Sequence, residues 1–173
     1  MTAAGAGLWA RLCAETVLAT TLLVTADVWM PRPSMQLSFA IAIGATAGVT
    51  LVFLLAGRRP VRGSIVRERR RLVAAKGGVL AIGSASEEVV WRWFAIGALT
   101  PRVGVLAAFA ASTLAFALAH GRPRAVVVHI VTGCTFGGVY VLTGSLVAAI
   151  VSHVAYNLAV LLAVETGRAL RPA

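Results

Sequence analysis

Two adjacent carboxylates, Glu87 and Glu88, stand in the middle of an otherwise apolar run, with Arg92 shortly after them. A charge in a bilayer core costs roughly 2.5–3.5 kcal/mol even on insertion scales. The chain has only six acidic residues, so two of them at one apolar place point to a working site. Glu88 and Arg92 are four apart, share a helix face and can pair. Glu87 is turned about 100° away at 3.6 residues per turn and is expected to face a cavity, where a carboxylate suits general acid–base work. Two further apolar runs carry groups of the same kind. Phe116 lies one turn before His120, and His153 has Asn157 four residues on, on the same face. A Glu, two His and an Asn could activate water, stabilise an oxyanion or bind a metal. The bland alternative for Glu87, Glu88 and Arg92 is a polar clamp between helices.

The remaining polar residues read as structural. His129 sits among valines with no polar neighbour at helical spacing, as a core or interfacial histidine. Glu15 is one turn from Arg11 and can pair with it, and Asp27 reads as interfacial. Tyr140 and Tyr156 read as packing residues, Tyr156 on a different helix face from His153. Cys13 and Cys134 lie far apart in apolar segments and give neither a disulfide framework nor a metal-binding pair.

Composition says what must position these groups. Of 173 residues, 59% are hydrophobic and 13% charged, with a mean hydropathy of +0.88. A soluble domain is roughly 45–50% apolar and about 25% charged, so an integral membrane protein is expected and disorder is excluded. A spanning helix takes about 20 residues. Six apolar runs meet that need: Leu8–Val28, Met35–Ala56, Gly77–Leu99, Val103–Ala119, Ala125–Leu142 and Ser145–Val164. The fold expected is therefore all-α, a polytopic membrane bundle of about six helices. Residues 1–56 hold two spans, 57–76 a basic cytoplasmic linker, and 77–173 a core of four spans. Gly44-xxx-Gly48 and Gly133-xxx-Gly137 have the spacing that lets helix backbones approach in lipid. The first run is as long as a full span, which argues against a cleaved signal peptide.

Three motifs in order carry a resemblance. The chain reads Glu87-Glu88-Val89-Val90-Trp91-Arg92, then Phe116 and His120 as Phe-x-x-x-His, then His153 and Asn157 as His-x-x-x-Asn, with a Thr-Gly-Ser-Leu turn from Thr143 to Leu146. Over about Gly77–Val164 it resembles the CAAX prenyl endopeptidase and bacteriocin-processing family of intramembrane proteases. The resemblance implies Glu87 as the base that activates water and His120 as a partner holding that water or a metal. It implies His153 and Asn157 as oxyanion donors, with Glu88, Arg92 and Phe116 supporting them. Glu87, His120 and His153 could also be three ligands of a divalent metal such as zinc, with one position open, although no His-Glu-x-x-His is present. The implied partners are membrane lipid and a peptide or membrane-protein substrate. Trp93 departs from the glycine that many relatives carry after the arginine, and a bulky residue there changes packing beside the site. A non-catalytic protein of the same fold, in bacteriocin immunity or secretion, is the alternative. An ion carrier would more often show broken helices in matching halves. The Ala-, Arg- and Val-rich composition suggests a bacterial chain, in which prenylated substrates are not expected.

The net charge of +10 follows the loops, not a nucleic-acid surface. Of sixteen Lys and Arg, thirteen fall on one side of the expected spans, Arg32 and Arg102 on the other, and Arg92 within a span. By the positive-inside rule both termini are cytoplasmic. The basic stretch from Arg58 to Lys76 reads as a topology anchor that could lie as a helix on anionic lipid. Reporter fusions after Leu142 and after Ala173 are expected to report opposite sides of a cell membrane, and the same side for both would overturn the six-span assignment.

Overall fold

A computed structural model describes residues 3–56, 67–120 and 125–165. The anchor expected at 57–66, the pairing expected of the Arg11 side chain, and the sidedness of Arg122, Arg124, Arg168 and Arg171 lie outside the described residues. The elements are α1 (Ala3–Thr25), α2 (Leu37–Ala56), α3 (Arg67–Glu88), a π-helical segment (Val89–Ile96), α4 (Gly97–Val103), α5 (Val105–Ala119), α6 (Val126–Thr143) and α7 (Leu146–Glu165). The path from α3 through the π segment to α4 is continuous, so six rods form the bundle, and no strand occurs among the described residues.

The bundle is turned inside out relative to a soluble protein. Leu54, Leu106 and Leu142 are 75%, 79% and 74% exposed, whereas Glu88 and Arg92 are 0% exposed. Charged side chains are almost never fully buried in water-soluble folds unless paired, and such an outer surface calls for hydrocarbon as its solvent. The fold is an all-α membrane bundle. By length and composition, α2 over Leu37–Leu55, α6 and α7 can each cross a bilayer, and Leu12–Thr25 and Val105–Ala119 are shorter apolar helices.

The third rod departs from the expected Gly77–Leu99 at both ends. It begins at Arg67, so the residues after 66 in the expected linker are helical, and it runs past Pro101 to Val103. Gly104, at φ 80°, ends it in a conformation that a Cβ would resist.

Neighbouring rods are tied at both ends. At one end Lys76 Nζ meets Glu165 Oε1 at 2.6 Å, joining α3 to the end of α7. At the other, Ser34 donates its backbone N–H to the Thr143 carbonyl and its hydroxyl to the Leu142 carbonyl. The turn between α6 and α7 satisfies its own polar groups. Thr143 Oγ1 donates to the Val139 carbonyl and accepts from Ser145 N–H, and Ser145 Oγ caps α7 by accepting from Ala148 N–H. Where water is scarce, a turn is stable only with such pairing.

The most extensive helix contact joins α2 to α7. A Cβ on Gly44 would lie 2.2 Å from the Ala148 carbonyl oxygen, and one on Gly48 would lie 2.1 Å from that of Ser152. The two glycines therefore set how closely α7 approaches, and with it the place of His153, the next residue after Ser152. Gly48→Ala is expected to destabilise the bundle by about 1–3 kcal/mol, the usual cost of overpacking. Gly138→Ala, whose added carbon meets nothing within 4 Å, is expected to leave stability unchanged or raise it. Thermal unfolding of both variants in detergent checks this.

Candidate functional site

The end of α3 and the start of the π segment supply the acidic half of the site. Glu88 is fully buried, and its two carboxylate oxygens go different ways. Oε1 accepts from His153 Nδ1 at 2.8 Å, and Oε2 lies 3.1 Å from Arg92 Nε. The arginine contact is an ion pair without hydrogen-bond alignment, since Arg92 Nε, Nη1 and Nη2 have no hydrogen-bond partner among the described residues. The guanidinium is instead covered by the Phe116 ring, with Cζ 4.7 Å from its centroid, a cation–π contact. The expected pairing of Glu88 with Arg92 is thus present, and Glu88 also orients His153.

Glu87 points elsewhere, as its neighbouring position on the helix requires. Its Oε2 lies 3.8 Å from His120 Nε2 and 3.9 Å from His153 Nε2. Both imidazoles present the same nitrogen. His120 Nδ1 donates to the Phe116 carbonyl at 2.8 Å, which can only accept, and His153 Nδ1 is held by the Glu88 carboxylate. Each Nε2 is therefore left for the site. Asn157 Nδ2 donates to Ser84 Oγ at 2.9 Å, and that hydroxyl in turn donates to the Leu80 carbonyl. A cavity of about 210 Å³ is lined by Leu12, Glu15, Val79, Ser84, Glu87, His120 and Asn157, among others. It extends from Glu87 back along α3 toward the end that carries Lys76. Glu87 and His120 keep 14% and 18% of their side chains exposed.

His120 follows the last residue of α5, yet it reaches the depth of Glu87. The reason is chain length. Gly104 is seventeen residues after Glu87 and sixteen before His120, so the chain returns to the level it left. From the expected start of the third span at Gly77, the two residues stand at mismatched depths. The rod runs past its expected end at Leu99 to Val103, so the tip lies at Gly104 and the two arms match in length.

The π segment has its own support. Unwinding a helix frees a carbonyl, and Ser112 of α5 donates its hydroxyl to the carbonyl of Trp91. Trp93 turns away from the catalytic candidates and packs with Ala19 and Val89, against Leu22 of α1. Its bulk therefore joins α1 to the π segment, not to the pocket beside Glu87.

All six charged or polar candidates, Glu87, Glu88, Arg92, His120, His153 and Asn157, gather around one interior region with Phe116 at its centre. Phe116 is 1% exposed and meets the rings of Trp91, His120, His129 and His153. Three residues in the site were not expected there. Ser84 fixes the Asn157 amide, and its place three residues before Glu87 is the signal that could have found it. Phe136 of α6 stacks on His153 at 4.3 Å and 18°, and it also meets the Tyr156 ring at 5.9 Å. His129 is not an isolated core or interfacial residue: its ring stacks on His120 at 4.1 Å and 25°. Its position four residues before Gly133 of the expected close-packing stripe is the clue in the sequence.

Metal binding is a matter of spacing. The edge of a tetrahedron with bonds of 2.0–2.1 Å is about 3.3 Å, and Glu87 Oε2 stands farther than that from both imidazoles. Among the described residues no group of three His, Cys, Asp or Glu side chains is arranged to hold an ion. Gaps of 3.8 and 3.9 Å leave room for a water to bridge Glu87 Oε2 to either imidazole.

Neither a curated protein nor a solved structure matches the chain. A family match covers residues 70–159, slightly more than half of the sequence. It runs from the first turn of α3 to just past Asn157, so it holds every residue of the constellation described above. The chain belongs to the Type II CAAX prenyl endopeptidase Rce1-like family.

Proposed function

We propose that this protein is an intramembrane endopeptidase that hydrolyses a peptide bond of a membrane-associated peptide or protein. One observation carries the reading: the Nε2 atoms of His120 and His153, from two other rods, lie 3.8 and 3.9 Å from Glu87 Oε2 beside a cavity. In the reaction, the Glu87 carboxylate takes a proton from a water that His120 Nε2 helps to hold. The hydroxide so formed adds to the scissile carbonyl carbon. The oxyanion accepts hydrogen bonds from protonated His153 Nε2 and from the Asn157 Nδ2 hydrogen that Ser84 does not engage. Glu88 Oε1 orients His153 by accepting from Nδ1. As the tetrahedral species collapses, the C–N bond breaks and Glu87 returns its proton to the amine. The reading includes six membrane crossings with both termini cytoplasmic, which sets the Lys76 end of the cavity, and so its water, on the cytoplasmic side. In this reading the water is activated without a metal, which the 3.8 and 3.9 Å spacing of Glu87 Oε2 from the two imidazoles favours.

Cleavage of a reporter peptide library by purified protein in lipid tests the reading. Glu87→Gln and His120→Ala are expected to be close to inactive, and Asn157→Ala to lose about 10²–10³-fold in kcat, the usual effect of one oxyanion donor. Dialysis against a chelator is expected to leave cleavage within a few-fold of its starting rate. Near-wild-type cleavage by Glu87→Ala would end the peptidase reading.

The two carboxylates are also expected to differ in stability. Arg92→Ala leaves Glu88 buried beside His153 without its main counter-charge, a change of about 3–5 kcal/mol. Glu87→Gln removes a part-exposed charge at little cost. Equal melting temperatures for the two variants would contradict this division of labour.

A further inference from the structure

His120 is the least secured of the two histidines. His153 is buried, anchored by the Glu88 carboxylate and covered by Phe136. His120 caps α5, is partly exposed, and among the described residues makes one hydrogen bond, from Nδ1 to the Phe116 carbonyl four residues back. A single bond at one ring nitrogen pins that atom but lets the ring rock about it. The atom that swings is Nε2, the one directed at Glu87. Phe116 meets the ring at a tilt of 59° and so leaves its face open to rocking.

The flat contact comes from α6. The His129 ring lies 4.1 Å from His120 with only 25° between planes. Its approach depends on Gly133, one turn later, where an added Cβ would lie 3.1 Å from Phe116 Cδ1 and 3.2 Å from Thr113 Cγ2. Two turns after His129 on the same helix, Phe136 covers His153 in the same manner. One helix thus lays a planar ring on each imidazole, and at His120 it supplies a restraint that the hydrogen bonds do not.

We propose that His129 is a positioning residue that holds the ring plane of His120, and with it the Nε2 atom, by stacking. The proposal rests on the peptidase reading for its kinetic consequence. A misplacement of about 1 Å at a reacting group can cost on the order of 10²-fold in rate. His129→Leu and His129→Met keep comparable side-chain bulk but have no planar face. Both are expected to lower kcat at least about tenfold with KM little changed. His129→Phe restores a planar face and is expected to recover most of the lost turnover.

The test has two arms on full-length protein in lipid or detergent. The first is steady-state cleavage by the three variants. The second is ¹⁵N-histidine NMR of His120, which requires no turnover. Wild type and His129→Phe are expected to show one Nδ1–H tautomer, and His129→Leu and His129→Met an average of two. Wild-type kcat and an unaltered His120 tautomer in His129→Leu would overturn the proposal. So would equal impairment of His129→Leu and His129→Phe, or an effect confined to KM. Active Glu87→Ala would instead sink the peptidase reading, and the tautomer measurement would still judge the His129 contact.

Discussion

The site depends on one carboxylate with two buried partners. Glu88 meets Arg92 through one oxygen and His153 through the other, and neither Glu88 nor Arg92 has any exposed surface. In such surroundings a lone charge is very costly, and a pair is tolerated only with good geometry and further contacts. The Phe116 ring over Arg92 supplies one such contact. Glu88 neutralises the arginine and orients the histidine, while Glu87 faces the cavity. The division follows from adjacency: neighbours on a helix cannot face the same way.

Several other features serve that arrangement. The π segment begins directly after Glu88 and brings Arg92 beneath Phe116, at the expense of a carbonyl that Ser112 repairs. Small residues then let the neighbouring rods close in. Gly44 and Gly48 admit the backbone of α7 beside His153, and Gly137 leaves room for the Phe109 ring with the Arg92 side chain close by. Packing in lipid has no hydrophobic drive between helices, so close approach and polar pairing must do the work. Here the two occur at the same places.

Much of this was legible in the residues. The cost of charge in hydrocarbon singled out Glu87, Glu88 and Arg92, and the four-residue spacings paired Glu88 with Arg92 and aligned His153 with Asn157. Glycine spacing marked the close-packed faces. The rest was hidden for physical reasons. Hydropathy cannot see that a basic segment is helical, so α3 began too late, and the Thr-Pro-Arg stretch read as a break, so the rod ended too early and His120 stood at the wrong depth. A π turn leaves no periodic mark in a run such as Val89–Ile96, where nearly every residue is apolar or aromatic. His129 was judged by neighbours along its own helix, but its partner lies across a helix boundary. The role of Phe136 is of the same kind, since an apolar residue on an apolar helix gives no sign of which ring it covers.

The matched distances on either side of Gly104 act as a caliper whose jaws are Glu87 and His120. Each inserted or deleted residue in one arm would shift its jaw by about 1.5 Å along the axis and about 100° around it. The jaws would then no longer oppose each other. Length can change only in both arms together and in steps near a whole number of turns. The stretch from Glu87 to His120 can thus drift in composition much more freely than in length, and the tip at Gly104 is the place where chain direction changes without disturbing the gauge.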